Sequence, residues 1–280
     1  MGIEYSLYEL TPKYQLNRFK VGQYCGVLFK VDGQYFVDYF PWVQFGDLGV
    51  KDLLEKIHKD GELPDFLQQC LSLDKMRFEL DHWDFLNHTL YNDERVQNPV
   101  LKIKYIDGFN EINEILESTP SKLRIDFNNG GSSKKILCWW NSLSEKHKEK
   151  IEFLEDPFSF DEEKNTYLRK IGISLAADRN IFQQEFYDYN ILKPNVDIVN
   201  SIPNNSIFSS YMGHDLGRYH CFLALMKWGN LSLAHGINTP GIYNEQLDIF
   251  NQNGMHTNIA PMVIKQLYTQ IKGAKWQTLI

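Results

Sequence analysis

The stretch NPVLKIKYIDG (residues 98–108) places Lys102 and Lys104 inside a run that otherwise has the composition of a buried strand. Successive side chains of a strand point to opposite faces, so the two lysines share one face. Taken alone, the pattern is most simply interpreted as a surface strand with a solvated lysine face. The strands that follow decide whether this interpretation holds.

Beyond residue 98, short apolar strands alternate with helical or polar stretches. This order is typical of a parallel sheet or barrel. Seven strands in a row favour a closed (β/α) barrel over an open doubly wound sheet, since the sequence has no glycine-rich nucleotide-binding turn. The predicted strands lie in VLKIKY (100–105), KLRIDFN (122–128), KIEFLEDPF (150–158), GISLAADRN (172–180), YNILKPN (189–195), NSIFSSYM (205–212) and LSLAHGI (231–237).

The predicted barrel is somewhat trimmed. The connections on either side of YNILKPN (189–195) are only about ten residues long, close to the minimum for a crossover helix. Its first strand has one weak candidate, HTLYNDE (88–94).

The residues before the barrel predict an α+β unit. Residues 4–40 alternate in strand fashion around a turn at Asp32 and Gly33, which indicates an antiparallel meander. Apolar residues then recur at helical spacing. The predicted helical segments are DLGVKDLLEKI (47–57), ELPDFLQQCLSL (62–73) and KMRFELDHWDFL (75–86).

Composition narrows the classes of function. The 280 residues carry a net charge of −7, which offers no basic field to a nucleic acid or an anionic membrane. Four scattered cysteines predict neither a zinc site nor a disulfide framework. The N-terminal sequence lacks the features of a signal peptide, and no apolar run is long enough to span a membrane. We therefore expect a cytoplasmic protein.

Three acids end three successive predicted strands: Asp126, Glu155 and Asp178. Alternation puts each on the face that would line the mouth of the barrel, where the active sites of such barrels are built. One such acid would more simply face solvent or cap a helix. Three in register would repel one another unless a hard cation bound between them, and Mg²⁺ prefers oxygen ligands.

Lys193 ends a further apolar strand, directly before Pro194. Desolvation and a nearby dication both disfavour an ammonium group, so they lower a lysine pKa towards the range of a general base. By the same reasoning we expect Lys102 and Lys104 each to make the other easier to deprotonate.

In this order the residues resemble those of the enolase superfamily, within its muconate-lactonising-enzyme-like branch, and most closely the o-succinylbenzoate synthases. That family has a K-x-K on its second barrel strand, metal-binding acids on the third to fifth strands and a lysine at the end of the sixth. The spacings of 29 and 23 residues between the three acids are also similar to the family's. The matching residues are Lys102, Lys104, Asp126, Glu155, Asp178 and Lys193.

The resemblance implies an enzyme, a carbon–oxygen lyase of menaquinone biosynthesis, that dehydrates a small-molecule carboxylate with the help of Mg²⁺ or Mn²⁺. It implies metal binding by Asp126, Glu155 and Asp178. It makes Lys104 the base and Lys193 a cation on the opposite face of the substrate, with Lys102 keeping the pKa of Lys104 low.

The same resemblance suggests substrate contacts. Arg124 lies two residues before the first metal ligand, as in the synthases' R-x-D, and Asn128 shares its inward face. Ser209 and Ser210 match the serine-rich seventh strand of those enzymes. His235 ends the last predicted strand and is a further candidate.

The family's layout also implies the domain organisation. Residues 1–92 would form a capping domain, residues 93–254 the barrel, and the C-terminal segment, about residues 255–280, would pack back on the cap. Two specificity loops are expected at LNRFKVGQY (16–24) and YFPWVQFGD (39–47).

Departures from the family leave the substrate open. The fifth strand usually continues Asp-Glu-Ser, but here Arg179 and Asn180 follow Asp178. N-acylamino-acid racemisation uses the same lysines and is the nearest alternative. A barrel that binds metal without catalysis is the alternative from another class. The oligomeric state cannot be predicted.

Overall fold

The computed structural model describes most of the chain. The described residues are 2–14, 16, 22–76, 84–90, 98–106, 108–178, 185–197, 202–239, 241–253 and 255–280, without the side chains of residues 89 and 90. Arg179 and Asn180, residues 17–21 of the first expected specificity loop, and residues 91–94 of the first-strand candidate lie outside this set.

The N-terminal part forms an antiparallel sheet backed by two helices, as the meander pattern predicted. Alternating apolar residues of the strands pack with Leu53, Ile57 and Leu67 of the helices in one core. Strand β2 lies between β1 and β3. The elements are β1 (Ile3–Leu10), β2 (Tyr24–Val31), β3 (Tyr35–Tyr39), a 3₁₀ turn (Val43–Phe45), α1 (Val50–Asp60) and α2 (Asp65–Met76).

The barrel begins with β4 (Asp84–Asn87) and β5 (Thr89–Leu90), two parts of one stretch of chain. The third helical segment was predicted over residues 75–86. Its residues 77–83 lie outside the described set, and Asp84–Asn87 form a strand and not the end of that helix. The candidate first strand is correctly located, because β5 pairs in parallel with the next strand. The strands that follow are β6 (Val100–Lys104), β7 (Lys122–Asp126), β8 (Ile151–Glu155), β9 (Leu175–Ala177), β10 (Tyr189–Leu192), β11 (Ser206–Phe208) and β12 (Ala234–His235).

Parallel pairing runs without interruption from β5 to β11, which makes a seven-stranded sheet. Its two ends are joined by β12. Ser209 forms a parallel bridge to Gly236, directly after β12, and Ala234 and His235 pair in parallel with Leu86 and Asn87 of β4. The strands therefore close into the predicted barrel.

Alternation along the strands separates two apolar layers. Phe153, Ala176, Ile191 and Ile207 point inwards and fill the barrel. The residues between them point outwards and pack on the surrounding helices, where Trp139 and Trp140 are buried as helix-packing residues. The helices of this part are α3 (Asn110–Ser118), α4 (Ser133–Ser142), α5 (Glu145–Lys150), α6 (Glu162–Lys170) and α7 (Asp215–Trp228).

The barrel is trimmed as expected: in the described residues of the connections from β9 to β10 and from β10 to β11, no α-helix is present. Helix α7 begins at Asp215 with His214 at its N-cap.

The C-terminal segment forms a hairpin, a helix and a short strand. Strand β14 pairs with β4 of the barrel, and β15 pairs with β1 of the N-terminal sheet. The elements are β13 (Phe250–Asn253), β14 (His256–Ile259), α8 (Pro261–Lys272) and β15 (Gln277–Thr278). In the described part of the chain, every helix is too short or too polar to cross a membrane.

Candidate active site

Strand register brings the three predicted acids to one edge of the sheet. Asp126 is the last residue of β7 and pairs with Glu155, the last residue of β8. Asp178 directly follows β9. Because parallel strands present their C-terminal ends at the same mouth of a barrel, the carboxylates converge there.

The turn after β7 fixes the carboxylate of Asp126. Asn128 has a left-handed backbone, with φ of 46°, a conformation that asparagine tolerates better than most residues. Its backbone N–H donates to Asp126 Oδ1 at 3.1 Å. This contact leaves Oδ2 for the groups inside the barrel mouth.

A second turn supports Asp178. Asp156 follows Glu155 with φ of 39°, and its Oδ1 accepts a hydrogen bond from the backbone N–H of Asp178 at 3.2 Å. The side chain of Asp178 accepts a hydrogen bond from Lys193 Nζ. The acid of the fifth barrel strand is thus held at both its backbone and its carboxylate.

Lys102 lies between two acids. Its Nζ is 2.7 Å from Glu155 Oε1 and 3.1 Å from Asp126 Oδ2. Burial by itself lowers the pKa of Lys102, but the charges of Asp126 and Glu155 outweigh it and raise that pKa. The expectation that each lysine makes the other easier to deprotonate is therefore wrong for Lys102, which stays an ammonium.

Lys104, two residues further along the same face, has a different environment. Its Nζ donates to the backbone carbonyl of Leu16, in the first expected specificity loop, at 2.7 Å. Burial lowers the pKa of Lys104, and the charges of Lys102 and Lys193 add to the effect, while Asp126 acts against it. The lowered pKa makes the neutral amine easier to reach than in an ordinary lysine, as a general base requires.

Lys193 lies in the same pocket, on the sixth strand of the barrel. Besides its contact with Asp178, its Nζ lies 5.3 Å from the centroid of the Tyr211 ring, within the range of a cation–π contact. Two lysines with different partners therefore flank one group of carboxylates.

Eight of the ten predicted site residues line one pocket at the barrel mouth, and Arg124 and Glu155 do not. Glu155 lies beneath it, under Lys102. The structure places Arg124 deeper in the barrel: its Nε and Nη2 donate to Glu152 at 2.8 and 3.0 Å. Its Nη1 lies 2.9 Å from His88 Nδ1. Ser209 and Ser210 follow β11.

Several pocket residues were not predicted individually. Trp42 and Phe45 come from the second expected specificity loop, so the N-terminal part reaches over the barrel mouth. His88 comes from the first strand, and Tyr211 from the loop after β11. The family's layout predicted the two loops. Nothing in the sequence distinguished His88, a single histidine in the candidate first strand.

His235, considered as a site residue, is buried below the pocket. Its Nδ1 accepts a hydrogen bond from the backbone N–H of Phe208 at 3.0 Å, and its Nε2 lies 3.0 Å from the carbonyl of Asn230. Burial lowers the pKa of His235 to about 4. The ring is a neutral structural group between β11 and β12.

The donors at the mouth suit a hard dication, because all are carboxylate oxygens and two of them converge on one point. Asp126 and Glu155 are both nearly fully buried and both contact the same ammonium nitrogen. As the side chains stand, no three acids, histidines or cysteines of the described residues converge tightly enough to enclose an ion. The ammonium groups of Lys102 and Lys193 contact the acids instead.

The curated proteins that are similar to this chain are o-succinylbenzoate synthases. No protein-family model matches the sequence. A curated o-succinylbenzoate synthase from Bdellovibrio bacteriovorus is 25% identical over 297 aligned positions, covering 89% of this chain and 88% of that protein. Another, from Aliivibrio salmonicida, is 35% identical over 75 residues, which is 26% of this chain.

Solved structures with the same fold are more distant in sequence. An o-succinylbenzoate synthase from Thermosynechococcus elongatus, with magnesium in its active site, has a TM-score of 0.71 at 14% identity and covers 96% of this chain and 100% of its own. A dipeptide epimerase from Methylococcus capsulatus, bound to magnesium and a dipeptide, has a TM-score of 0.61 at 10% identity over 92% of this chain and 96% of its own. A protein from Enterococcus faecalis, described as an unknown member of the enolase superfamily, has a TM-score of 0.70 at 10% identity, over 100% of this chain and 98% of its own. The chain therefore has the fold of the enolase superfamily, as its sequence predicted.

Proposed function

We propose that the chain is a magnesium-dependent o-succinylbenzoate synthase. Its substrate would be 2-succinyl-6-hydroxy-2,4-cyclohexadiene-1-carboxylate, an intermediate of menaquinone biosynthesis. The observation that carries the proposal is the pair Lys104 and Lys193, both in one pocket beside a group of strand-end carboxylates. The similarity of 89% of the chain to a curated synthase supports the choice of reaction.

Asp126, Glu155 and Asp178 would hold the magnesium ion through their carboxylate oxygens. When bound, the ion supplies a Lewis acid that stabilises negative charge developing on the substrate carboxylate. Mn²⁺ accepts similar oxygen ligands and could replace it.

Lys104 would be the base. Its neutral amine, favoured by burial, takes the proton from the carbon next to the substrate carboxylate. The electrons of that C–H bond form a ring double bond, and the bond from the adjacent carbon to its hydroxyl breaks. The ammonium of Lys104 returns its proton to the departing hydroxyl on the same face, so water leaves and the ring becomes aromatic.

Lys193 would act as a fixed positive charge. Contacts with Asp178 and the Tyr211 ring hold its ammonium in the pocket, where it stabilises the negative charge that forms on the substrate. Lys102 would hold Asp126 and Glu155 in place and keep the pKa of Lys104 low through its own charge.

A second candidate is racemisation of N-acylamino acids. One observation favours it: Lys104 and Lys193 belong to different strands of one pocket, so each could approach the α-carbon of a bound substrate from its own side. In that reaction Lys193 would be neutral in one half of the cycle, whereas dehydration needs it only as a cation.

The deciding experiment is an assay of the purified protein with Mg²⁺, using the cyclohexadiene precursor and N-succinyl amino acids in parallel. Formation of o-succinylbenzoate, abolished by EDTA and restored by Mg²⁺, is the expected result. Turnover of the N-succinyl amino acids without dehydration of the precursor would replace the synthase by the racemase.

The variant Lys104→Ala separates catalysis from binding. Loss of a general base lowers kcat by roughly 10²–10⁴-fold while o-succinylbenzoate and Mg²⁺ still bind. Lys122→Ala, which removes an exposed lysine at the start of β7, is the matched control and should keep the wild-type rate. Ligand binding without turnover in the wild type would favour a metal-binding barrel that is not an enzyme.

A further inference from the structure

His88 lines the pocket, and the proposed reaction does not use its chemistry. It directly follows β4, and its Nδ1 lies 2.9 Å from Nη1 of Arg124. A guanidinium nitrogen carries only donor hydrogens, so this nitrogen of His88 has to be the acceptor. The ring proton of neutral His88 is therefore on Nε2.

The guanidinium that sets this tautomer is itself fixed. Arg124 makes two parallel hydrogen bonds to Glu152, and its Nη1 also donates to the carbonyl of Ala234 at 2.7 Å. Such a bidentate pair has little freedom to turn. A positive charge behind Nδ1 also polarises the ring, which strengthens Nε2–H as a donor. Burial, with the charge of Arg124, lowers the pKa of His88 well below its usual value, so the ring stays neutral.

The Nε2 side of the ring faces the pocket beside Gly236 and Ser209. A Cβ placed on Gly236 would lie 2.9 Å from Nε2 of His88 and 3.0 Å from the hydroxyl oxygen of Ser209. The imidazole N–H and the hydroxyl thus flank space that a glycine leaves open. Within the part of the chain that the structure describes, no protein group accepts the Nε2 hydrogen.

We propose that His88 is a substrate-binding residue, whose Nε2–H donates a hydrogen bond to a carboxylate or carbonyl oxygen of the substrate, and that Arg124 and Glu152 act through it as positioning residues. The identity of that substrate rests on the proposed function. The role of Arg124 is then to orient His88 and not to contact the substrate itself.

Two substitutions separate this role from a purely structural one. His88→Asn keeps an oxygen near the position of Nδ1, where it can accept from Arg124, but has no donor at the position of Nε2. His88→Gln places an amide N–H near the position of Nε2 but gives up the acceptor for Arg124. A substrate-binding role predicts that His88→Asn lowers kcat/KM roughly ten- to a hundredfold, mostly through KM, and that His88→Gln keeps more activity.

A structural role predicts the reverse order, with His88→Gln the more damaged because Arg124 loses its acceptor. Wild-type kcat/KM in His88→Asn would overturn the proposal. His235→Asn is the matched control, since that ring is also buried but does not line the pocket: it should lower the melting temperature without changing KM.

A measurement on the wild-type protein covers the case in which the variants do not fold. With ¹⁵N-labelled histidine, the nitrogen shifts of His88 should report the Nε2–H tautomer, and the Nε2–H signal should shift when o-succinylbenzoate binds to the magnesium-loaded protein. The Nδ1–H tautomer, or a signal unmoved by the bound ligand, would overturn the proposal. If the wild type turns over N-succinyl amino acids and not the precursor, the proposed function fails, while the same kcat/KM comparison with those carboxylates still decides the role of His88.

Discussion

The two lysines of β6 differ in what their ammonium groups contact. Lys102 bridges Asp126 and Glu155, whereas Lys104 donates to a backbone carbonyl. Opposite charges raise the pKa of Lys102, and burial lowers the pKa of Lys104. The charge of Lys102 therefore compensates the charges of the buried acids. Lys104 can then exchange a proton.

Removing the bridging lysine should make the fold depend on a metal ion. Lys102→Met leaves Asp126 and Glu155 side by side in a buried site without their cation, and loss of one partner of a buried pair costs about 3–5 kcal/mol. We expect a loss of this size in the free energy of unfolding by urea in EDTA, and a partial recovery in excess Mg²⁺, which binds the folded state.

Lys51→Met is the control for that experiment. The side chain of Lys51 is 87% exposed and pairs on the surface of α1, so its removal should change the free energy of unfolding by less than about 0.5 kcal/mol. Equal losses in the two variants, or no response of Lys102→Met to Mg²⁺, would contradict the compensating role of Lys102.

At the scale of elements, the 3₁₀ turn after β3 closes the pocket from above. Trp42, at its start, donates from Nε1 to the carbonyl of Tyr211 at 2.9 Å, and its ring packs on Tyr24 and Phe40. Together with the hydrogen bond that the Tyr211 hydroxyl donates to Asp47, this bond ties the loop of the N-terminal part to the loop after β11.

Trp42→Phe should loosen this closure without emptying the core. The phenyl ring keeps the packing, but the bond to Tyr211 is lost, so KM should rise roughly three- to tenfold while kcat stays within about twofold. Steady-state kinetics measure both. Val43→Ala, at a 57% exposed position of the same turn, should leave both constants unchanged. A fall in kcat alone would show that the loop acts on chemistry and not on binding.

Strand β3 carries a buried acid that should make stability depend on pH. Asp38 accepts a hydrogen bond from the hydroxyl of Tyr8 at 2.6 Å, and burial, aided by the charge of Asp215, raises the pKa of Asp38 to about 8. The unfolded chain releases this proton near pH 4, so between about pH 4 and pH 8 the folded state binds more protons and stability falls as pH rises.

Asp38→Asn keeps an acceptor for Tyr8 but cannot titrate. Urea unfolding at pH 5 and pH 8 should therefore show the wild type losing stability relative to the variant, by up to about 1.4 kcal/mol per pH unit within that window. All other titrating groups are common to both proteins, so parallel pH curves would mean that Asp38 is ionised in the fold.

Element patterns explain why part of this arrangement was predictable. Regular alternation placed Asp126, Glu155 and Asp178 on inward faces at strand ends, and the barrel follows from the order of strands. The hairpin of β13 and β14 was missed because FNQN (250–253) and HTNI (256–259) are polar and short. The position of Arg124 could not be predicted, because it depends on a contact with His88. These two residues are distant in the sequence, and no local pattern encodes such a contact.

At the scale of the whole molecule, one buried carboxylate joins three parts of the chain. Asp74, at the end of α2, accepts from the backbone N–H of Phe36 at 2.9 Å and from the hydroxyl of Tyr268 in α8, and lies 3.4 Å from Nε2 of His220 in α7. Burial acts to raise the pKa of Asp74, but His220 and Tyr268 outweigh it and lower that pKa. The carboxylate is thus ionised where the N-terminal part, the barrel and the C-terminal helix meet.

This junction should couple the unfolding of the parts that it joins. Tyr268→Phe removes one hydroxyl from a buried ionised carboxylate, which should lower the free energy of unfolding by about 1–3 kcal/mol, with kcat unchanged because the site lies elsewhere. Chemical denaturation followed by tryptophan fluorescence and by circular dichroism measures both the size and the cooperativity of the effect. Tyr167→Phe, at a 52% exposed position, is the control and should stay within about 0.5 kcal/mol of the wild type. If Tyr268→Phe unfolds in two separated steps while the wild type unfolds in one, Asp74 makes the N-terminal part and the barrel a single cooperative unit. An effect no larger than that of Tyr167→Phe would mean that the apolar contacts around Asp74 hold these parts together.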